Sequence, residues 1–218
     1  MLPFSSSAQS PITIAVPKGR VTRALAPLFE RAGIDPQPLL ADDRRLIRES
    51  ADRGVRFLLL KPDDVPTYVE YGTAELGISG RDVLRERRYD LYQPLDLDVG
   101  RCRMVVAGLP GASTPPVPRV ATKYPRTAAE HFARQGVQAE IIYVQGSVEL
   151  APLVGLADLI VDLVESGATL RDNGLVERTT IAAVSSVLVA NPSLYKLRHA
   201  ELEPLVARLR AAVGSVNA

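Results

Sequence analysis

The sequence predicts an α/β protein of two lobes, in which the second lobe is inserted into the first. Strand-like and helix-like segments alternate over residues 12–88, which favours a largely parallel sheet with helices packed on it. Two β-rich segments, at 101–107 and 176–190, lie where the chain would pass between lobes, and we expect these crossing strands to form the hinge. The expected first lobe is residues 1–102 with 182–218, and the expected second lobe is residues 103–181.

Short apolar runs predict the individual strands. They lie at 12–16, 55–61, 75–79, 120–122, 139–144 and 159–164. Helical spacing of Leu25, Leu28 and Phe29 before Gly33 predicts a helix over 21–32. Further helices are expected from 62, from 81, over 125–136, from 146 and over 191–213. The dense charge run at 41–49 is typical of a solvated face.

Composition excludes several classes of protein. The 218 residues are 46% hydrophobic, which is ample for a core, and the formal net charge of +1 argues against a nucleic-acid protein. The single cysteine, Cys102, excludes an intrachain disulfide and a cysteine-based zinc site. We interpret His131 and His199 as surface residues and Cys102 as a packed thiol.

The sequence also predicts a cytoplasmic protein. The longest apolar run, at 181–190, is too short to span a bilayer. The amino terminus has no basic start and no apolar core, so we do not expect a secretory signal.

A polar turn after the last predicted strand of the second lobe has the features of a phosphate site. Gly167 permits close backbone approach, and Ser166 and Thr169 add hydroxyl donors at the start of a helix. Asp162, near the strand's end, could meet ribose hydroxyls or a hydrated Mg²⁺. The alternative is a plain strand-to-helix turn with Ser166 or Thr169 as the helix cap, and this stretch alone leaves both interpretations open.

A second strand-to-helix turn carries two cations, Lys18 and Arg20, around Gly19. Such a turn also suits an anion. Taken alone, however, it is better interpreted as a solvated loop.

The whole chain from residue 12 resembles the ATP phosphoribosyltransferases, the first enzymes of histidine biosynthesis. The segments that carry the resemblance are 16–20, 44–48, 64–72, 76–84, 119–125 and a family signature. That signature is formed by Glu149, Gly155, Ala157, Ile160, Asp162, Ser166, Gly167, Thr169 and Leu170. The resemblance is to the short form of the family, in which a C-terminal regulatory domain is missing. It implies a periplasmic-binding-protein-like, two-lobed catalytic subunit.

The resemblance also implies an activity and its site residues. ATP and phosphoribosyl pyrophosphate would give N1-(5-phosphoribosyl)-ATP and pyrophosphate, with Mg²⁺ as cofactor. The expected contacts of the 5-phosphate are Ser166, Gly167, Ala168 and Thr169. Asp158 and Asp162 are candidates for ribose hydroxyls or Mg²⁺, and Glu149 for a contact near the ribose. Lys18, Arg20 and Arg44 would face pyrophosphate or triphosphate, and Lys123 and Asp82 are weaker candidates.

Implied partners are a second catalytic subunit, in a homodimer, and a histidyl-tRNA-synthetase-like regulatory subunit, in a hetero-octamer. Nucleic acid and membrane are not expected as partners. A non-catalytic two-lobed solute-binding module is the main alternative, because fold alone does not give function. An ordinary purine-salvage phosphoribosyltransferase is disfavoured, because that class usually carries paired acids directly before the turn.

Overall fold

The computed structural model describes residues 10–51 and 54–214, which form alternating strands and helices. The strands are β1 (Ile12–Pro17), β2 (Ile47–Glu49), β3 (Val55–Leu60), β4 (Leu76–Gly80), β5 (Tyr92–Gly108), β6 (Arg119–Thr122), β7 (Glu140–Tyr143), β8 (Leu159–Val164) and β9 (Val176–Ala190). The helices are α1 (Arg20–Arg31), α2 (Gln37–Leu40), α3 (Val65–Glu70), α4 (Arg81–Arg87), α5 (Pro125–Arg134), α6 (Leu150–Leu153), α7 (Ala168–Asp172), α8 (Pro192–Leu197) and α9 (His199–Gly214). A 3₁₀ turn at Pro62–Asp64 precedes α3.

The chain divides into two compact units. The first comprises the chain up to Ser79, Tyr89–Val99 and the chain from Ser186 on, and the second comprises Gly80–Arg88 and Gly100–Ser185. The long strands β5 and β9 therefore each belong partly to one unit and partly to the other. The second unit takes in α4, which the boundaries predicted from the sequence leave in the first lobe. The lobe boundaries given in the sequence analysis therefore stay a prediction.

In the first unit the strand order is β2-β3-β1-β4-β9. Strand β1 is parallel to both β3 and β4, whereas β2 runs antiparallel to β3. The buried core contains Phe29 of α1, Phe57 of β3 and Leu202 of α9, all with at most 2% of their surface exposed. Because β1 and β3 are parallel, the loops that follow them leave from the same edge of the sheet.

In the second unit the strand order is β5-β8-β6-β7. Strand β6 is parallel to β7 and β8, and β8 is antiparallel to β5. One core packs under α6 and α7, around Ile160 and Leu170. Another packs under α5, around Phe132, with Cys102 as a partly buried member, as predicted for this thiol.

Most predicted elements are confirmed, and three differ. The charge run at 41–49, predicted to be a solvated face, contains the edge strand β2, and Arg48 within it is only 8% exposed. The fifth strand begins at Tyr92 rather than near 101. Helix α2 was not predicted.

Among residues 10–51 and 54–214, no helix combines the length and apolar character that a membrane span requires. The amino-terminal segment on which the absence of a secretory signal was predicted lies, except for its last residues, outside the described part of the chain.

Candidate active site

The turn between β8 and α7 has the predicted strand-to-helix form. Gly167 caps α7 with φ +76°, in the left-handed region that favours glycine. The side chains of Ser166, Ala168 and Thr169 are exposed, and the N–H of Ala168 donates to Oγ of Ser166 at 3.3 Å. The first amides of a helix lack intrahelical acceptors, so this turn offers donors to an anion.

Two arginines contact the carbonyl groups of this turn. Nη1 of Arg103 donates to the carbonyl of Glu165 at 3.1 Å, and Nη1 of Arg171 donates to the carbonyl of Ser166 at 3.0 Å. Arg103 also forms an ion pair with Glu177 of β9. The sequence analysis missed these three residues, since 62 residues separate Arg103 from Glu165 and nothing in the motif pointed to Arg171 or Glu177.

Charged side chains gather at the carboxyl ends of the parallel strands of the second unit. Thr122 of β6 pairs with Val161 of β8, so Lys123, the residue after β6, lies level with Asp162 within β8. Burial raises the pKa of the Asp162 carboxyl from 3.8 to about 6. The N–H of Leu163, which donates to Asp162 at 2.8 Å, and the Lys123 charge oppose this rise in pKa, while the Glu149 charge adds to it.

Asp82 and Tyr124 form a buried pair in the same unit. The Tyr124 hydroxyl donates to Oδ2 of Asp82 at 3.0 Å. Burial raises the pKa of the Asp82 carboxyl, and the Tyr124 hydrogen bond and the Lys123 charge lower it. Lys123 therefore interacts with two carboxyls, Asp82 and Asp162, which places both weaker sequence candidates in the surroundings of Asp162.

Asp158 lies at the other end of β8 from the turn. Its carboxylate accepts from the backbone N–H of Arg119 at 2.8 Å and from Nη2 of Arg119 at 3.3 Å. These hydrogen bonds lower the pKa of Asp158. Since β8 has six residues and rises about 3.3 Å per residue, Asp158 and the turn are separated by roughly 20 Å. The structure therefore does not bring Asp158 together with the other predicted site residues, and we leave it out of the proposed site.

In the first unit, the predicted cations Lys18, Arg20 and Arg44 line one groove of about 1050 Å³. Lys18 follows β1, Arg20 begins α1, and Arg44 belongs to the segment before β2. Arg23, one turn along α1, lines the same groove and was missed by the sequence analysis. Arg23 could have been found from its position one helical turn after Gly19 and Arg20.

The neighbouring arginines Arg45 and Arg48 have a different role. Nη2 of Arg45 lies 2.7 Å from Oδ2 of Asp43, and this hydrogen bond holds the pKa of Asp43 at about 2. Arg48 is buried and donates to Oδ1 of Asp43 and to the carbonyl of Pro38. Arg44, by contrast, is exposed and has no ion-pair partner among the residues that the structure describes. Arg44 lines the groove beside Asp42 and Asp43, and a cation without an ion pair there suits an anionic ligand.

Within the described residues, no group of three or more His, Cys, Asp or Glu side chains is placed to hold a metal ion. Asp162, on the strand that leads into the turn, and Glu149 are two carboxylates whose charges repel. Mg²⁺ commonly binds through one or two carboxylates together with substrate phosphates and water. These two residues therefore fit a metal that arrives with a phosphorylated substrate.

A strand-to-helix turn with donors that suit an anion in one α/β unit, and a groove lined by cations in the other, are features expected of a protein that handles phosphorylated ligands. The fold is that of the periplasmic-binding-protein-like class. An arginine-bound arginine-binding protein from Thermotoga maritima matches with a TM-score of 0.58 over 94% of this chain and 96% of that chain. Identity is 11%, so this likeness shows the fold alone.

Closer comparisons show the family. The HisG family of ATP phosphoribosyltransferases matches residues 61–211. An ATP phosphoribosyltransferase from Sorangium cellulosum is 63% identical over 95% of this chain and 98% of its own length. One from Geobacillus kaustophilus is 50% identical over 93% of this chain and 98% of its own length. A chain of the HisG:HisZ complex from Thermotoga maritima has a TM-score of 0.80 and 32% identity, covering 94% of this chain and 99% of that chain. The chain belongs to the ATP phosphoribosyltransferase family, which opens histidine biosynthesis.

Proposed function

We propose that this chain joins adenine N1 of ATP to C1 of phosphoribosyl pyrophosphate, releasing pyrophosphate and forming N1-(5-phosphoribosyl)-ATP. The observation that carries this proposal is the turn at 165–169, with its left-handed Gly167 and exposed Ser166 and Thr169, in a chain of this family. Ser166, Gly167, Ala168 and Thr169 would bind the 5-phosphate through amide and hydroxyl donors.

The chemistry asks for orientation and charge rather than for a general base. Adenine N1 already carries a lone pair, so its attack on C1 needs no proton removed first. The barrier is lowered by holding the two reactants in line and by stabilising the departing pyrophosphate. The second unit would hold the ribose through Glu149 and Asp162. The groove of the first unit, with Lys18, Arg20 and Arg44, would bind pyrophosphate or triphosphate.

Asp162 and Glu149 would hold Mg²⁺ together with the substrate's phosphates. When bound, the ion would neutralise negative charge on pyrophosphate. Asp162 and Glu149 would in turn be relieved of their mutual repulsion.

We also propose a cytoplasmic enzyme that forms a catalytic homodimer and joins a histidyl-tRNA-synthetase-like regulatory subunit in a hetero-octamer. The support is the likeness to a chain of the HisG:HisZ complex. Size-exclusion chromatography of this chain alone and mixed with such a partner would test it: a single larger complex is expected, and separate elution would contradict it.

The decisive assay measures pyrophosphate release with ATP, with phosphoribosyl pyrophosphate, and with both, in Mg²⁺ and with or without the regulatory partner. Release that needs both substrates is expected. Binding of either compound without release, even with the partner present, would favour the non-catalytic solute-binding alternative. Release from phosphoribosyl pyrophosphate alone would indicate a hydrolase.

A further inference from the structure

We propose that Arg103, held by Glu177, and Arg171 are positioning residues that aim the amide donors of the turn at 165–169. This inference rests on the function proposed above, in which that turn binds the 5-phosphate. Arg103 belongs to β5, Arg171 to α7 and Glu177 to β9, so three separate elements of the second unit meet at one turn.

The two arginines bind successive carbonyl groups. Arg103 donates to the carbonyl of Glu165 at 3.1 Å, and Arg171 donates to the carbonyl of Ser166 at 3.0 Å. Each bond comes from a guanidinium, whose donors are fixed in a plane. Two neighbouring peptide groups are thus held in defined orientations by side chains from different elements.

Fixing a carbonyl also fixes the amide that follows it. In a trans peptide group the C=O and the N–H point in opposite directions. With the carbonyl of Glu165 directed at Arg103, the N–H of Ser166 points away from that arginine. In the same way, the N–H of Gly167 points away from Arg171. Successive amides directed outward form a concave donor surface that suits a phosphate oxygen.

Glu177 orients Arg103. It accepts from Nε of Arg103 at 2.9 Å and also from Nη2 of Arg103. The Arg103 hydrogen bond and charge, with the Arg171 charge, hold the pKa of Glu177 below its usual range, so the carboxylate stays ionised. A Cβ on Gly167 would lie 3.0 Å from Nη1 of Arg171 and 3.4 Å from Oε1 of Glu177. The glycine therefore also lets these two groups approach the turn.

The test is calorimetric binding of phosphoribosyl pyrophosphate and, separately, of ATP to the full chain and to Arg103→Gln, Glu177→Gln and the double variant. In Arg103→Gln we expect the Kd for phosphoribosyl pyrophosphate to rise roughly tenfold, the effect of misaligning one or two donors to a charged group, with the Kd for ATP within about twofold. Because Arg103 and Glu177 act as one unit, the double variant should be no worse than the poorer single variant.

Arg119→Gln is the matched control. Arg119 also binds a carboxylate, Asp158, and a carbonyl, that of Gly155, but at the far end of β8. We expect Arg119→Gln to lower the melting temperature about as much as Arg103→Gln does, while the Kd values for phosphoribosyl pyrophosphate and ATP stay unchanged. Equal losses of phosphoribosyl pyrophosphate binding in Arg103→Gln and Arg119→Gln, or none in Arg103→Gln, would overturn the positioning role alone. If the unmodified chain binds no phosphoribosyl pyrophosphate, the proposed function fails and this inference with it.

Discussion

The hydroxyl of Tyr124 donates a hydrogen bond to Oδ2 of Asp82 at 3.0 Å, and both side chains are buried. Tyr124→Phe keeps the ring in the core but removes this donor. We expect the free energy of unfolding at pH 7 to fall by about 1.5–3 kcal/mol, the range for a hydrogen bond to a charged group. Urea unfolding monitored by circular dichroism measures it.

Tyr143→Phe is the control for that substitution. Its hydroxyl bonds Oε1 of Gln145 at 3.1 Å on the exposed surface. The change in unfolding free energy should stay within about 0.5 kcal/mol. Equal effects of Tyr124→Phe and Tyr143→Phe would show that the buried pair contributes nothing special to stability.

Thr169→Val tests the turn itself. Valine is nearly isosteric with threonine, and the side chain is exposed, so thermal unfolding should be unchanged. Loss of a hydroxyl bound to phosphate should weaken binding of phosphoribosyl pyrophosphate by roughly 1.5–3 kcal/mol. Steady-state kinetics with each substrate varied in turn checks this, and an unchanged KM and kcat would refute the phosphate contact.

Arg44→Ala tests the groove of the first unit. If Arg44 stabilises the charge that develops on departing pyrophosphate, kcat should fall by roughly 10- to 100-fold, and more than either KM rises. Arg45→Ala is the paired comparison, because the Arg45 guanidinium is bound to Asp43. A loss seen only in Arg45→Ala would move the assignment by one residue. No loss in either variant would make this segment a solvated face.

Asp162→Asn tests the partly buried carboxyl. Its folded pKa of about 6 exceeds its ordinary 3.8, so the folded protein binds the extra proton and stability is lost as pH rises between these values. At pH 7 the variant should be more stable than the unmodified chain by up to about 3 kcal/mol, and this advantage should vanish near pH 4. Asparagine keeps the acceptor for the N–H of Leu163. Unfolding is measured in Mg²⁺-free buffer.

Asp158→Asn, at the residue just before the same strand, provides a control of opposite sign. Arg119 lowers the folded pKa of Asp158, so its stabilisation exists above the unfolded pKa and is lost as pH falls. This variant should be less stable than the unmodified chain at pH 7 and approach it in acid. The same pH trend in both variants would mean that strand disruption, rather than ionisation, sets their stability.

The sequence predicts what local patterns encode. The strands that contain Ile14, Phe57 and Ile160 are apolar runs bounded by turns, and the sequence analysis predicted each of them. The edge strand β2 was missed because its environment is non-local. Arg48 looks solvated in a charge run, yet its guanidinium is enclosed by the Pro38 carbonyl and Asp43. The number of charged residues in a segment cannot distinguish a solvated arginine from an enclosed one.

At the candidate site, too, local sequence features were predictable and non-local contacts were not. The turn was predictable because Ser166, Gly167 and Thr169 are consecutive features of one short motif. Asp158 was included through the family resemblance, but the extended strand β8 separates it from the turn. Arg103 could not be found from spacing, since 62 residues separate it from the carbonyl it binds and 74 separate it from Glu177.

The division of the chain also favours an order of folding during synthesis. The second unit ends at Ser185, whereas the first unit needs the chain from Ser186 on, including the core residues Leu188 and Leu202. Domains generally fold as units while the ribosome is still elongating the chain. The unit that carries the turn can therefore fold first, while the segments of the first unit wait without their last strand and helices. Chaperones that shield nascent apolar surface would thus act mainly on the half of the protein whose synthesis began earlier.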